Sequence, residues 1–182
     1  MAWGAPSGVA CTGDRRAITG VWRVLELKIV ADWPEIRDGR IPADRLQELF
    51  LRTVTAMANA YCPYSKFSVG ALLLAENGDV FTGVNVENSS YGLTTCAERG
   101  AISSAVAAGA RRFVLAAVAT KAGKPVSPCG ACRQVLAEFN PIMPVFLVNA
   151  VDGAIQRTTV DALLPLAFSE ADLESARRKS GS

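Results

Sequence analysis

The chain of 182 residues contains no histidine. That absence removes serine triads, Cys–His pairs, imidazole general bases and His-liganded zinc from what this polypeptide can do alone. Any metal must rest on cysteine or carboxylate, and any general base on Asp, Glu, Lys, Tyr or Cys. Long hydrophobic runs are missing too. No apolar stretch approaches the roughly eighteen residues needed to cross a bilayer, and the first residues lack a basic segment followed by a clean apolar one. These absences predict a soluble, cytoplasmic protein with no membrane partner. Charge of one sign is nowhere concentrated: 19 Lys and Arg stand against 17 Asp and Glu, a formal net charge of +2 spread along the chain. Nucleic acid is therefore not an expected partner. Cysteine is sparse, at five, and odd in number. Half of the residues are hydrophobic, enough for one core without staples, so a disulfide framework is not expected. Reduced thiols or metal ligands are the expected state.

Patterning divides the chain unevenly. Residues 1–41 mix Gly, Pro, Trp and charge without a sustained period, and the apolar patch "GVWRVLELKIV" within them is compatible with either a strand or a helix. They are expected to form an extension, with the packed domain over 42–176 and a frayed tail over 177–182. In "IPADRLQELFLRTVTAMANAY" the residues Leu46, Leu49, Phe50, Val54 and Met57 share one helical face, with Asp44 near the start. "FSVGALLLAENGDVFTGVNV" is two β-rich runs around Asn77-Gly78, a strong hairpin signal. An Ala-rich helix over 95–108 ends at Gly109. "RRFVLAAVAT" and "MPVFLVNA" are continuous apolar runs of the kind found in strands buried on both faces, and "PVSPCGACRQVLAEF" between them is a loop entering a helix. Helices alternating with buried strands predict an α/β sandwich whose sheet begins as a hairpin and continues through crossovers.

Three cysteines fall at one kind of place. Cys96 opens one helix, and Cys129 with Cys132 opens another, just after Pro128. A helix N-terminus offers unpaired N–H groups and partial positive charge, which favours thiolate over thiol. Two such ends brought together would make a three-thiolate site. Zinc suits it, and three protein ligands leave the fourth tetrahedral position open, the pattern of catalytic rather than structural zinc. Glu98, two residues beyond Cys96, can lean over the metal without binding it and serve as a proton shuttle. Zinc deaminases carry this arrangement as H-x-E followed by P-C-x-x-C. Here it reads C-A-E and P-C-G-A-C. Taken alone, the C-x-x-C also fits a redox pair or half of a structural zinc knuckle. Among the remaining thiols, Cys62 reads as structural and Cys11 as free. Asn85 and Glu87, alternating at a strand end, fit a solvated edge as well as a ligand site, and Phe67 alone reads as core.

The segments "YCPYSKFSVGALL", "GVNVENSSYG", "TTCAERGAI", "SPCGACRQVL" and "LLPLAFSEADL" closely resemble those of the small, homotetrameric, three-cysteine cytidine deaminases, along almost all of residues 44–175. The resemblance implies a three-layer α/β/α sandwich around a mixed five-stranded sheet. It implies one zinc per chain on Cys96, Cys129 and Cys132, with Glu98 as acid and base. Phe67 would stack on the pyrimidine, Asn85 and Glu87 would bind the ribose hydroxyls, and the backbone around Ala97 and Ser127 would read the base. Tyr91 and Phe168 would help to build active sites shared between subunits. Arg99 would hydrogen-bond the ligand sulfurs, a role that charge supports: three thiolates over-neutralise Zn²⁺, so a guanidinium and two helix dipoles must draw some of that charge away. The implied activity is hydrolytic deamination of cytidine and 2′-deoxycytidine to the uridines with release of ammonia. The alternatives are an aminohydrolase for another cytosine nucleoside such as blasticidin S, and a zinc module that binds a partner without catalysis. The first forty or so residues have no counterpart in the resemblance.

Overall fold

The structure, a computed structural model, describes residues 25–180. Strands β1 (Val69–Ala75) and β2 (Val80–Val84) form the expected antiparallel hairpin, with Asn77-Gly78 at its tip and Gly78 at φ 91°. Strand β3 (Phe113–Thr120) pairs antiparallel to the other side of β1, β4 (Pro144–Asn149) runs parallel to β3, and β5 (Ile155–Thr159) closes the edge antiparallel to β4. The order is β2-β1-β3-β4-β5. This is the mixed five-stranded sheet expected. The last strand, "IQRTT", gives little sequence signal because it is an edge with partly exposed polar side chains.

Side chains alternate across the sheet with period two, and each face carries its own apolar cluster. On one face Leu72, Leu74, Leu115, Ala117, Phe146 and Val148 meet Leu46, Leu49, Phe50, Val54 and Met57. The last five belong to helix α2 (Ala43–Ala56) and the turn after it, on the face the periodicity predicts. On the other face Ala71, Leu73, Ala116, Val118, Val145 and Leu147 meet helices α3 (Ala97–Ala107) and α4 (Gly130–Phe139) through Ala101, Ile102, Ala105 and Leu136. The result is three layers.

One glycine sets the height of α3 above the sheet. A Cβ at Gly83 would overlap the backbone of Ala97 and Ala101, so only glycine lets the first turns of α3 lie directly on β2. Those turns carry Cys96 and Glu98.

The described segment before Pro42, residues 25–41, packs on this body. Leu25, Leu27 and Ile29 pack against the core, and the Lys28 N–H donates to the Gly153 carbonyl at 2.9 Å. The apolar patch compatible with strand or helix forms neither over residues 25–30; its residues 20–24 lie outside the described residues. After the short helix α1 (Pro34–Arg37), Ile41 is buried. Trp33 is buried against Phe50 and Phe146, edge-on, with centroids 6.3 and 5.1 Å away. We therefore propose a domain that starts before residue 42 and includes Leu25 onward. The reason the sequence conceals this is that Trp33, Glu35 and Ile41 contribute singly, between turns, with no period to detect. At the other end, α5 (Val160–Leu163) leads through residues 164–169 to α6 (Glu170–Ser180), so the tail expected to fray from 177 is helical to Ser180.

The N-terminal segment is pinned by an ion pair. Glu35, 2% exposed, accepts both arms of Arg157, at 2.8 and 2.9 Å. Burial alone would raise its carboxyl, but the Arg157 fork, a backbone N–H and the charges of Arg157 and Arg40 hold it below the ordinary 4.5. A folded value below the unfolded one means that the pair's contribution is complete above about pH 5 and is lost as the pH falls through that of the free acid and below. Glu35→Gln is therefore expected to lower stability at pH 7 by up to about 3 kcal/mol, the low end for a broken buried pair because Arg157 stays partly exposed. In urea titrations the gap between variant and wild type should narrow as the pH drops to about 3. A gap that is absent at pH 7, or constant with pH, would contradict this role.

Candidate metal and substrate site

The two helix ends do meet. Cys96 is the N-cap of α3 and Cys129 the N-cap of α4, both with extended backbone, and Cys132 lies in the first turn of α4. The three sulfurs all lie within 4.8 Å of one another, with Cys96 Sγ and Cys129 Sγ 3.8 Å apart. Tetrahedral zinc–thiolate geometry, with bonds of about 2.3 Å, requires sulfurs about 3.8 Å apart. The donor set therefore fits zinc in chemistry and in spacing. Among the described residues no fourth His, Cys, Asp or Glu joins the group.

Cys62, the other thiol considered as a ligand, is fully buried elsewhere. It lies 3.4 Å from Ser68 Oγ and is disulfide-bonded. The expectation that the cysteines would stay reduced is thus corrected at Cys62, while Cys96, Cys129 and Cys132 are free. Cys11 lies outside the described residues.

Exposure grades across the cluster: Cys132 is buried, Cys96 half-buried and Cys129 exposed. Burial pushes the Cys132 thiol up, and the charges of Glu98 and Cys96 add to this. Burial likewise raises Cys96 against the opposing pull of Arg99. At Cys129 burial is outweighed, and hydrogen bonding from Cys132 and Cys96 holds the thiol below its ordinary range. A divalent cation reverses the cost of ionising the buried sulfurs. Arg99 donates through Nη2 to the Thr94 carbonyl at 2.9 Å and reaches Cys96 Sγ at 3.8 Å. Its Nε is buried and finds no acceptor among the described residues. The guanidinium thus faces the sulfurs, as charge balance requires.

Glu98, one residue into α3, is buried at 6% exposure. Burial pushes its carboxyl above the ordinary range, with its own backbone N–H, Cys132 and Arg99 only partly opposing. It lies among the groups that surround the sulfurs, with Cys132 within hydrogen-bonding reach of its carboxyl.

Beside this cluster stands a second unit. Val86 bridges Thr95 on one side and Tyr61 on the other, so residues 85–87 run between the segment entering Cys96 and the loop over 61–68. Asn85 is buried. Its Oδ1 accepts the Val69 N–H and its Nδ2 donates to the Phe67 carbonyl, each at 2.8 Å. Glu87 accepts the N–H groups of Tyr64 and Ser65, at 2.9 and 3.1 Å, and the Ser65 hydroxyl. Burial opposes ionisation of Glu87, but those donors hold its carboxyl below the ordinary range. Neither residue is a merely solvated edge. Phe67 is 37% exposed rather than core, its backbone held by Asn85 and by Ser65 Oγ at 3.0 Å.

The other expected residues are placed as follows. Ala97, fully buried, opens α3 beneath Cys96. The Ser127 hydroxyl accepts from Arg133 at 2.8 Å. Tyr91 is 74% exposed, its ring edge-on to Tyr64 at 5.9 Å. Phe168 is exposed on the segment after α5, attached to α4 by a bond from Gln134 Nε2 to its carbonyl. Ser65 and Arg133 were missed from the sequence. The signal for Arg133 was its place directly after the last cysteine.

A three-layer α/β chain with three thiolates at paired helix ends and a buried glutamate beside them defines a zinc-dependent hydrolase class. Comparison with known proteins narrows it. The family model of the cytidine and deoxycytidylate deaminase zinc-binding region matches residues 44–148. A cytidine deaminase of Sporosarcina psychrophila is 53% identical over 132 residues, covering 72% of this chain and 96% of the relative. The crystal structure of a cytidine deaminase from Burkholderia pseudomallei superposes with a TM-score of 0.65 at 47% identity, over 67% of this chain and 98% of that one. A blasticidin-S deaminase of Bacillus cereus is less similar, at 31% over 113 residues, 58% of this chain and 79% of the relative. The chain belongs to the cytidine and deoxycytidylate deaminase family.

Proposed function

We infer that this chain is a zinc-dependent hydrolase that converts cytidine and 2′-deoxycytidine to uridine and 2′-deoxyuridine, releasing ammonia. The observation that carries the reading is a buried Glu98 set beside a three-sulfur cluster whose spacing matches zinc. Cys96, Cys129 and Cys132 hold the ion. When bound, zinc supplies the Lewis acidity that brings the pKa of water towards neutrality. Glu98 takes the proton from the attacking water and delivers it to N3 of the pyrimidine, then takes the proton of the hydroxyl now on C4 and delivers it to the amine as the C4–N bond breaks. Its burial serves this cycle, since keeping the carboxyl out of water raises its proton affinity above that of a free glutamate and makes it a better base. Arg99 withdraws charge from the sulfurs.

The substrate is held by the neighbouring unit. Glu87, kept ionised by its donors, retains acceptor capacity for ribose hydroxyls. Asn85 spends one amide proton on Phe67 and has a second for a hydroxyl. The same side chain thereby fixes the backbone of Phe67, whose exposed ring stacks on the base. Backbone groups around Ala97 and Ser127 read the pyrimidine. The three free thiols that must stay reduced to serve as ligands support a cytoplasmic location, although Cys62 is cross-linked apart from them, and no helix among the described residues is long and apolar enough to cross a membrane.

The chain is proposed to act as a homotetramer with Tyr91 and Phe168 shared between subunits. Support comes from the exposed apolar side chains of Tyr91, Leu93, Leu166 and Phe168, which a partner copy would cover. Light scattering should give about four chain masses; a stable, fully active monomer would overturn the shared site.

Glu98→Gln keeps size and hydrogen bonding but removes the base. Turnover, followed as loss of cytidine absorbance with cytosine, CMP and blasticidin S as competitors, should fall at least about 10²- to 10⁴-fold while zinc content stays at wild type. Cys96→Ala should lose metal as well as rate. Near-normal turnover by Glu98→Gln with full zinc would refute the assigned role.

A further inference from the structure

The sequence "C-R-Q" at 132–134 contains two polar side chains that metal binding does not use. Both are occupied in a specific way. Arg133, half-buried, donates through Nε to the Pro128 carbonyl at 2.8 Å and through Nη2 to Ser127 Oγ at 2.8 Å. These bonds reach back from α4 to the loop that delivers Cys129. Its remaining arm, Nη1, crosses to the Leu163 carbonyl at 2.9 Å, at the end of α5. The next residue, Gln134, donates to the Phe168 carbonyl at 2.8 Å. Two consecutive side chains of the metal-bearing helix therefore grip both ends of the strap 163–168.

The strap needs this grip. Pro165 offers no N–H, Leu166 has φ 59°, a backbone conformation unfavourable for a side chain of its kind, and the Leu166 side chain is fully exposed. Leu164 bonds back to Val160, but no backbone hydrogen bond spans 165–168 among the described residues. A guanidinium fork, by contrast, is rigid, and its donors have fixed relative directions. One planar group thus bonds both the Ser127–Cys129 loop and Leu163.

We propose that Arg133 and Gln134 are positioning residues: Arg133 fixes the loop that carries Ser127 and Cys129 and ties it to the strap, and Gln134 sets the far end of that strap, so that the metal loop and Phe168 are placed by one helix. The strap arm rests on the functional reading above, in which Phe168 contributes to substrate binding. The loop arm does not, since it is read on metal retention alone.

The test uses full-length zinc-loaded protein. Arg133→Lys keeps the charge but loses the fork. Transfer of zinc to a colorimetric chelator, measured without substrate, should quicken about 10- to 100-fold, as for other groups that orient metal ligands. KM for cytidine should also rise. Gln134→Ala should leave zinc transfer at the wild-type rate and raise KM about 2- to 10-fold, the loss of one hydrogen bond. Ser127→Ala, which removes one acceptor and leaves Arg133 in place, should quicken zinc transfer about 2- to 10-fold and decides the loop arm if Arg133→Lys does not fold. Wild-type zinc transfer in both Arg133→Lys and Ser127→Ala overturns the loop arm, and wild-type KM in Gln134→Ala overturns the strap arm. Changes in zinc transfer and KM that merely track the melting temperature in all three variants would mark a structural role and overturn both. A wild-type chain that holds zinc but does not deaminate cytidine would instead sink the functional reading and leave the zinc-transfer comparison intact.

Discussion

The site depends on the side-by-side placement of two helix N-termini. Each end alone offers orphan N–H groups and partial positive charge. Placed together, they create a region where three sulfurs can be ionised around a cation and a carboxylate can be buried nearby. The sheet enforces the placement. Helix α3 follows β2 and α4 follows β3, the two strands that flank β1 and run in the same direction. Both helices cover one face of the sheet and begin at the same end of it. Gly83 then fixes how closely α3 lies on β2, and a side chain there would lift Cys96 and Glu98 away from the other two cysteines.

Charge is balanced around that junction rather than at any one group. Arg99 faces the sulfurs from α3, and its contact with Cys96 raises the pKa of a guanidinium that is already permanently charged. Glu98 is kept out of water, so its proton affinity is set by burial more than by Arg99. Glu87 shows the opposite arrangement: three donors hold a carboxylate in its charged form where hydroxyls are to be bound. Two acids in neighbouring units are thus driven apart in pKa, the pattern expected where one moves protons and the other only accepts hydrogen bonds.

Much of this was legible in the sequence because it is local. The apolar stripe of α2, the Asn77-Gly78 hairpin, the buried runs of β3 and β4 and the cysteine spacing each repeat or terminate within a few residues. What escaped was set by contacts distant in the chain. Glu35 has its meaning only beside Arg157, and Trp33 only between Phe50 and Phe146. β5 was hidden by its polar edge. Asn85 was read as ribose ligand or solvated edge, and its two bonds to the Phe67–Val69 backbone depend on how residues 61–69 fold back.

Catalysis of this kind requires a three-sulfur site with its fourth position open to water and substrate. X-ray absorption at the zinc edge of the purified, metal-replete protein tests it directly. The expected spectrum has about three sulfur neighbours at about 2.3 Å and one lighter neighbour at about 2.0 Å, for about one zinc per chain. Four sulfurs around the ion, or zinc well below one per chain after gentle preparation, would contradict a catalytic centre of this kind.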